Sequence, residues 1–400
     1  MAIRTLDDAA VDGDAVGVRV DINSPLDESG GLADDARLHA HVETLTELAN
    51  RGARVAVLAH QGRPGGDEFG RLEPHAERLD ELLDAPVDYC DATFSAEARA
   101  AVEALDPGEV VVLENTRFYS EEYMEFDPER AAETFLVDGL ASVLDAYVND
   151  AFAAAHRSQP SLVGFPARLP AYAGRVMEQE LDVLGGIDET PEPRAYVVGG
   201  AKVPDSVTVA QHALESGLGD VVLTTGVVAN VFLLAAGHDL GEASADFVRQ
   251  QGYWEEIDRA ADLLDRYGDR IRVPTDVAVE RDGHRHVLAL DEFPPASDEA
   301  VMDIGPDTVE TYVAELASAG TVVLNGPAGV FEDETFADGT RDLFAGVAAA
   351  DAYSIVGGGD TASAIRRFDL TGFDHVSTGG GAALRLLTGE ELAAVRALDQ

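Results

Sequence analysis

The feature that most constrains this chain is the spacing of its apolar runs. Short Val/Ile/Leu-rich runs at 16–20, 54–59, 110–113, 195–198, 221–223, 321–324 and 354–356 alternate with longer stretches of helical period. The runs are mostly apolar rather than alternating, as in strands buried on both faces. Between the first two lies a clear helix: Asp34 or Asp35 is placed to cap it, Leu38, Val42, Leu45 and Leu48 share one face, and Gly52 ends it. Further helical segments are read at 207–214 and 363–368. Strand, helix, strand repeated in this way predicts an α/β protein, with parallel sheets covered by helices on both faces.

A helix is predicted over 171–184, carrying Glu178 and Glu180 and ending in the breaker run GGIDETPEP. A length of 400 residues suits about two or three domains, and the junction is placed at that helix. Ligands of open parallel sheets bind beyond the carboxyl ends of the strands. The segments in that position are DINSP (21–25), HQGRP (60–64), ENTRF (114–118), GGAKVPDS (199–206), NGPAGVFE (325–332), GGGDTA (357–362) and STGGGAA (377–383). The early loops carry Arg and His, the later ones Gly. Two ligands are implied, one bound by side chains and one by backbone.

Charge narrows the partners. The chain holds 75 acids against 28 Lys and Arg, a net charge of −47, which repels nucleic acid and anionic membranes. The acids are interleaved with apolar residues, as on a folded surface. Screening such a surface calls for salt, since the Debye length falls from ~10 Å at 0.1 M to ~3 Å at 1 M. Adaptation to a cytoplasm of molar salt is the simplest reading. Cys90 is the only cysteine, which excludes an intrachain disulfide and a multi-cysteine zinc site. Neither a membrane-length apolar run nor a signal-peptide plan is found, so a soluble, cytoplasmic protein is expected. Lys202 is the only lysine, so all the other basic residues counted among the 28 are arginine.

In the first half, Arg37, Arg63, Arg117 and Arg157, with His60 and His156, fall in loops or at element ends. Taken singly, each arginine is most simply read as answering surface acids. Their joint placement after strands points instead to a small phosphorylated acid, because guanidinium offers a fork of donors matched to carboxylate and phosphate. Asp21 and Asn23 are available for its hydroxyl. In the second half, Gly357, Gly358 and Gly359, and again Gly379, Gly380 and Gly381, present backbone N–H groups to an anion at strand-to-helix turns. Asp360 can hold a hydrated Mg²⁺ or cap the helix that starts near Thr361. Neither G-x-x-x-x-G-K-[ST] nor a G-x-G-x-x-G opening a helix after the first strand is present, so the P-loop fingerprint is missing and the dinucleotide reading loses its main support.

The segments VRVDINSPLD, LAHQGRP, VVVLENTRFYSEE, YVNDAFAAAHR, VVGGAKVPDS, VVLNGPAGVFEDE, IVGGGDTASA and HVSTGGGAALRLL resemble the phosphoglycerate kinase family, in the family's order and over nearly the whole chain. The resemblance implies two doubly wound domains facing a cleft: 1–170 for phosphoglycerate, a joining helix at 171–186, 187–380 for nucleotide, and 381–400 returning to the first domain. It implies that Asp21, Asn23, Arg37, His60, Arg63, Arg117 and Arg157 bind 3-phosphoglycerate. Gly200, Lys202, Gly226, Asn325 and Glu332 match the ATP/ADP site, with Glu332 at the ribose. Asp360 and Thr361 match the metal and phosphate turn. Arg37, Lys202, Gly379 and Gly380 match the groups around the transferring phosphoryl.

The activity implied is reversible phosphoryl transfer between 1,3-bisphosphoglycerate/ADP and 3-phosphoglycerate/ATP with Mg²⁺, after closure about the joining helix. A monomer is expected. One position departs from the family: a second lysine, four residues after the first, is here Ser206. Either another donor substitutes, or Arg37, Lys202 and the backbone turn carry the rate. Ser206 is also the one hint of an alternative, a nucleotide-binding regulator impaired in catalysis. A nicotinamide dehydrogenase is the weaker rival, lacking its fingerprint.

Overall fold

The apolar runs are strands because nothing else would hide them: all five residues of the first strand are buried. The structure is a computed structural model and describes residues 3–27 and 30–399. It divides into two units, the first running to Asp182 and taking in the segment from Glu390, the second spanning Val183–Gly389.

The first unit holds β1 (Ala15–Arg19), β2 (Arg54–Leu58), β3 (Val87–Cys90), β4 (Val110–Leu113), β5 (Ala146–Asn149) and β6 (Ala171–Ala173). They form one sheet in the order β3-β4-β2-β1-β5-β6, and every pairing is parallel. The chain thus winds outward from β1 in both directions, and the loops after β1, β2 and β5 open side by side at that switch. The helix Ala36–Asn50 buries Leu38, Leu45 and Leu48 against the sheet, with Val42 at the margin of the same core. Asp34 accepts the Ala36 N–H at 2.9 Å, but the cap position is Asp35 and its side chain makes no capping bond.

The second unit repeats the plan. Its strands are β7 (Arg194–Val198), β8 (Val221–Thr224), β9 (Ile271–Arg272), β10 (Asp276–Arg281), β11 (His284–Ala289), β12 (Val301–Ile304), β13 (Thr321–Asn325), β14 (Tyr353–Gly357) and β15 (His375–Val376). Six of them form a parallel sheet in the order β15-β14-β13-β7-β8-β9. Here the winding starts at β7, so the loops after β7 and β13 flank the switch.

Three points correct the sequence reading. First, a separate antiparallel sheet, β11-β10-β12, was not foreseen. Its hairpin turns through Asp282 and Gly283, at φ 52° and 76°, the pair of left-handed residues that a two-residue hairpin requires. Second, the segment from Ala171 is not helical at its start. Ala171–Ala173 is an edge strand on β5, and the helix is Arg175–Gly185. The break falls at Gly174, where a Cβ would lie 2.2 Å from the Asp150 carboxylate. Third, the helix Gly380–Leu387 stays with the second unit, and only the chain from Glu390 belongs to the first, rather than from 381. Among the described residues no helix is long and apolar enough to cross a membrane.

Candidate active site

In the first unit the loops after β1 and β2 are tied together before any ligand is considered. Asn23 Oδ1 accepts the Gly62 N–H at 2.7 Å, and Gln61 reaches back with its side-chain amide to Ser24 O at 2.8 Å. Asn115, in the loop after β4, binds Gln61 O and Gly70 O through one amide nitrogen, each at 2.8 Å. These buried amides set the floor of the site.

On that floor stands positive charge. Asp21, nearly buried, accepts from the Arg37 guanidinium at 2.9 Å. Burial works to raise the Asp21 carboxyl, yet positive charge from His60 (when protonated), Arg37 and Arg19, with the Asn23 N–H, holds it well below the carboxylate range. His60 is buried, and that burial, reinforced by Arg19, Arg117 and Arg157 against the pull of Asp21, keeps its imidazole neutral near pH 7. The neutral ring suits its contact: Nδ1 lies 2.9 Å from the Arg19 guanidinium, which can only donate.

Arg117 donates to Gly62 O at 2.7 Å. Burial, then repulsion from Arg157 and Arg19, lowers it to about 10. Burial likewise lowers Arg157, despite attraction to Asp21, with Arg63 and Arg19 adding to the shift. Arg63 is exposed, and its guanidinium has no hydrogen-bond or ion-pair partner among the described residues. The structure therefore brings Asp21, Asn23, Arg37, His60, Arg63, Arg117 and Arg157 to one end of one sheet. Mutual repulsion among these cations is what an anion would relieve.

Sequence reading missed Arg19. It is the last residue of β1, it is 2% exposed, and its guanidinium binds Ser161 Oγ at 3.0 Å as well as His60. Ser161 in turn is held by Glu122, through its N–H at 2.7 Å and its hydroxyl at 2.6 Å. A charged residue closing an otherwise apolar strand was the signal available. His41 was missed too. Its Nδ1 meets Asp150 at 2.6 Å, and its Nε2 faces the Asp21 main chain, 3.1 Å from the N–H.

In the second unit the turn after β7 is threaded by glycines with no room for side chains. Gly200 adopts φ +76°, and its N–H donates to Pro327 O at 2.8 Å. Gly226, at φ +56°, packs so closely that a Cβ would meet Gly200 N at 2.8 Å. Gly326 N–H donates to Thr361 Oγ at 2.8 Å, so Thr361 locks two loops rather than facing outward. Gly358, at φ +93°, precedes the helix Gly359–Arg367, whose first turn holds Asp360. No side chain caps that helix, so the capping role considered for Asp360 is not what the structure shows. Gly379 precedes the helix Gly380–Leu387, and its N–H donates to Ser377 Oγ at 3.1 Å.

These turns surround two adjoining cavities. One, of about 170 Å³, is walled by Val277, Ile304, Ala328 and Phe331 and has Glu332 at its margin. The other, of about 220 Å³, is lined by Gly199, Lys202, Gly326, Gly358, Asp360 and Gly380. Gly200, Ala201 and Asp360 border both. An apolar chamber continuous with a glycine- and lysine-lined one suits a flat base at one end and phosphates at the other. The unforeseen antiparallel sheet supplies the apolar wall through Val277, Val301 and Ile304. Lys202 Nζ lies 3.4 Å from Asp360 Oδ2, with both side chains mostly exposed. The accessible carboxylates of Asp360 and Asp205 beside this glycine-lined chamber fit Mg²⁺, which keeps several waters and takes one or two carboxylates plus phosphate oxygens.

Comparisons with known proteins bear on the chain as a whole. The family model for phosphoglycerate kinase matches residues 6–390. The chain is 71% identical over 398 residues to a phosphoglycerate kinase of Halobacterium salinarum, covering 100% of both chains. It is 65% identical over 399 residues to one of Natronomonas pharaonis, again over 100% of both. Among solved structures, the phosphoglycerate kinase of Pyrococcus horikoshii superposes with a TM-score of 0.93 at 42% identity, over 99% of this chain and 98% of that one.

Proposed function

Because the chain belongs to the phosphoglycerate kinase family, we propose that it carries out reversible phosphoryl transfer between ATP and the carboxylate of 3-phosphoglycerate, with the residues assembled above. The observation that supports these roles most is the packing of Arg19, Arg37, Arg117 and Arg157 around Asp21 and His60 in a chain of net charge −47. In so acidic a protein, this gathering of cations at one end of a sheet suits the holding of an anion.

The reaction needs no nucleophile from the protein. A carboxylate oxygen of 3-phosphoglycerate attacks the γ-phosphorus of ATP, the bond to the bridging oxygen breaks, and ADP leaves with the electron pair. The reverse reaction starts from 1,3-bisphosphoglycerate and ADP. Charge spreads over the equatorial oxygens in a loose transition state, so positioning and positive charge supply the catalysis. Arg63, Arg117 and Arg157 hold the substrate phosphate. Asp21 and Asn23 receive the hydroxyl, and His60, kept neutral, offers its free ring nitrogen to the substrate. Arg37 approaches the carboxylate end, and Lys202 with the Gly379 and Gly380 turn faces the moving phosphoryl.

Gly226 and Asn325 shape the nucleotide site, and Glu332 meets the ribose. Asp360 would hold Mg²⁺, which when bound neutralises charge on the nucleotide phosphates. Closure about the linking helix, a cytoplasmic location and a monomeric state complete the proposal. The regulator alternative rested on Ser206 alone, and the comparisons give it no support.

The test is a coupled assay for ATP formation from 1,3-bisphosphoglycerate and ADP, run across a KCl series. Turnover that rises toward molar salt is expected. No turnover at any salt concentration would refute the proposal.

A further inference from the structure

Ser206 occupies the position where the family resemblance leads one to expect a second lysine, and the structure shows what the serine does there. It lies in the helix Val203–Glu215, 2% exposed. Its hydroxyl donates to Gly199 O at 3.1 Å and accepts from the Asn325 amide at 3.4 Å. The same 199–202 turn is held again two residues on, where the Tyr253 hydroxyl donates to Ala201 O at 2.8 Å. Lys202 follows directly. Its own side chain makes one long contact, 3.4 Å to Asp360, and is 71% exposed. Four flexible methylenes with one weak partner do not fix an ammonium, so its origin on the backbone decides where it can reach.

We propose that Ser206 and Tyr253 are positioning residues for phosphoryl transfer, pinning neighbouring carbonyls of the 199–202 turn so that the chain's only lysine side chain starts from one fixed place. The serine does not replace the absent lysine as a charge. It converts that position into a brace, and the brace raises the effectiveness of the lysine that remains. The inference rests on Lys202 serving the transferring phosphoryl group.

The experiment compares steady-state kinetics in molar KCl for Ser206→Ala, Ser206→Thr, Tyr253→Phe, the Ser206→Ala/Tyr253→Phe double variant and Lys202→Ala. Each single hydroxyl deletion is expected to lower kcat roughly 3- to 10-fold, and the double variant roughly 10- to 100-fold, the upper end being the scale of an ~1 Å misplacement. The KM for 3-phosphoglycerate should stay unchanged, because that ligand is held by the first unit. Ser206→Thr, which keeps the hydroxyl, should recover most of kcat, and thermal midpoints should stay close to that of the parent. A double variant with parental kcat, beside an inactive Lys202→Ala, would overturn the brace alone. Equal losses in Ser206→Ala and Ser206→Thr would also overturn it, since packing rather than the hydroxyl would then be at issue. Normal turnover by Lys202→Ala would remove the reading of Lys202 and the brace with it.

Discussion

His75 makes the acid stability of the first unit predictable. It sits in the first turn of the helix Glu73–Leu82 with no exposed surface, and its Nε2 lies 3.0 Å from Gln61 Oε1. Burial, only partly offset by the Ile22 backbone, pushes its pKa down to about 4 from the ordinary 6.5. The sign follows from proton binding. Below pH 6.5 the unfolded chain takes up a proton that the folded chain refuses until about pH 4, so stability present above 6.5 is lost as pH falls through this window. At ~1.36 kcal/mol per pH unit, the loss from this residue between about pH 7.5 and pH 5 comes to ~2 kcal/mol.

The second unit carries an opposite device. Burial, working against Arg285 and the Gly339 and Ile304 backbone, raises Asp303 to about 6, so that group favours the folded state as pH falls from 6 toward 4. Trp254, the only tryptophan, lies in the second unit and reports on it alone. Urea unfolding in molar KCl, followed by far-UV circular dichroism and by tryptophan fluorescence, therefore separates the two responses. His75→Gln should lose ~2 kcal/mol less stability than the parent between those pH values, with little change in the fluorescence-detected transition. An unchanged pH slope in the variant would refute the argument from burial.

Further expectations concern charge, substrate and backbone. Stability and activity should climb steeply from ~0.1 M toward molar KCl as screening relieves self-repulsion, and full stability in dilute buffer by thermal unfolding would contradict this. Arg63→Ala should mainly raise KM for 3-phosphoglycerate, whereas Arg37→Ala should lower kcat by roughly 10²-fold; the reverse pattern would exchange their roles. Gly226→Ala places a Cβ 2.8 Å from Gly200 N at φ +56°, so weaker nucleotide binding with a stability loss of roughly 1–2 kcal/mol is expected by calorimetry. Lys202→Arg should lose most of kcat while its melting temperature barely moves, because the exposed contact with Asp360 contributes little to stability; near-native turnover would show that only charge matters there.

How far the sequence could be read follows from which forces leave a local trace. The parallel strands were legible because burial on both faces demands unbroken apolar runs, as in Val110–Leu113. The glycine turns were legible because Gly200, Gly226 and Gly358 occupy left-handed backbone that few other residues accept. β10 and β11 were not, because alternation is diluted by His284, Arg285 and His286, and only Asp282-Gly283 marks the hairpin. β6 was lost for a different reason. Ala-Tyr-Ala has no strong preference, and its strand state comes from pairing with β5, a long-range contact that no local pattern records. Asp21 and Arg117 were found because they lie just past strand ends, and Arg37 because it opens the helix Ala36–Asn50, while Arg19 hid within a strand.

The composition and the site obey one electrostatic argument. At ~1 M salt the Debye length is ~3 Å, so long-range attraction of anionic substrates is screened away along with the surface repulsion that the salt relieves. Recognition must then act at contact distance. A guanidinium fork suits that condition because its energy comes from short, directed hydrogen bonds to carboxylate and phosphate, not from a distant field. Burial keeps the Arg117 contacts beyond the reach of screening, and its pKa, lowered to about 10, records what that burial and the neighbouring cations cost. A bound anion offsets that cost and binds the folded form alone, so 3-phosphoglycerate should stabilise the first unit in proportion to RT ln(1 + [L]/Kd). Lysine, a compact charge on a loose stem, is weak at such work except where one point charge must be held still beside a moving phosphoryl group, and this chain keeps a single lysine, at 202.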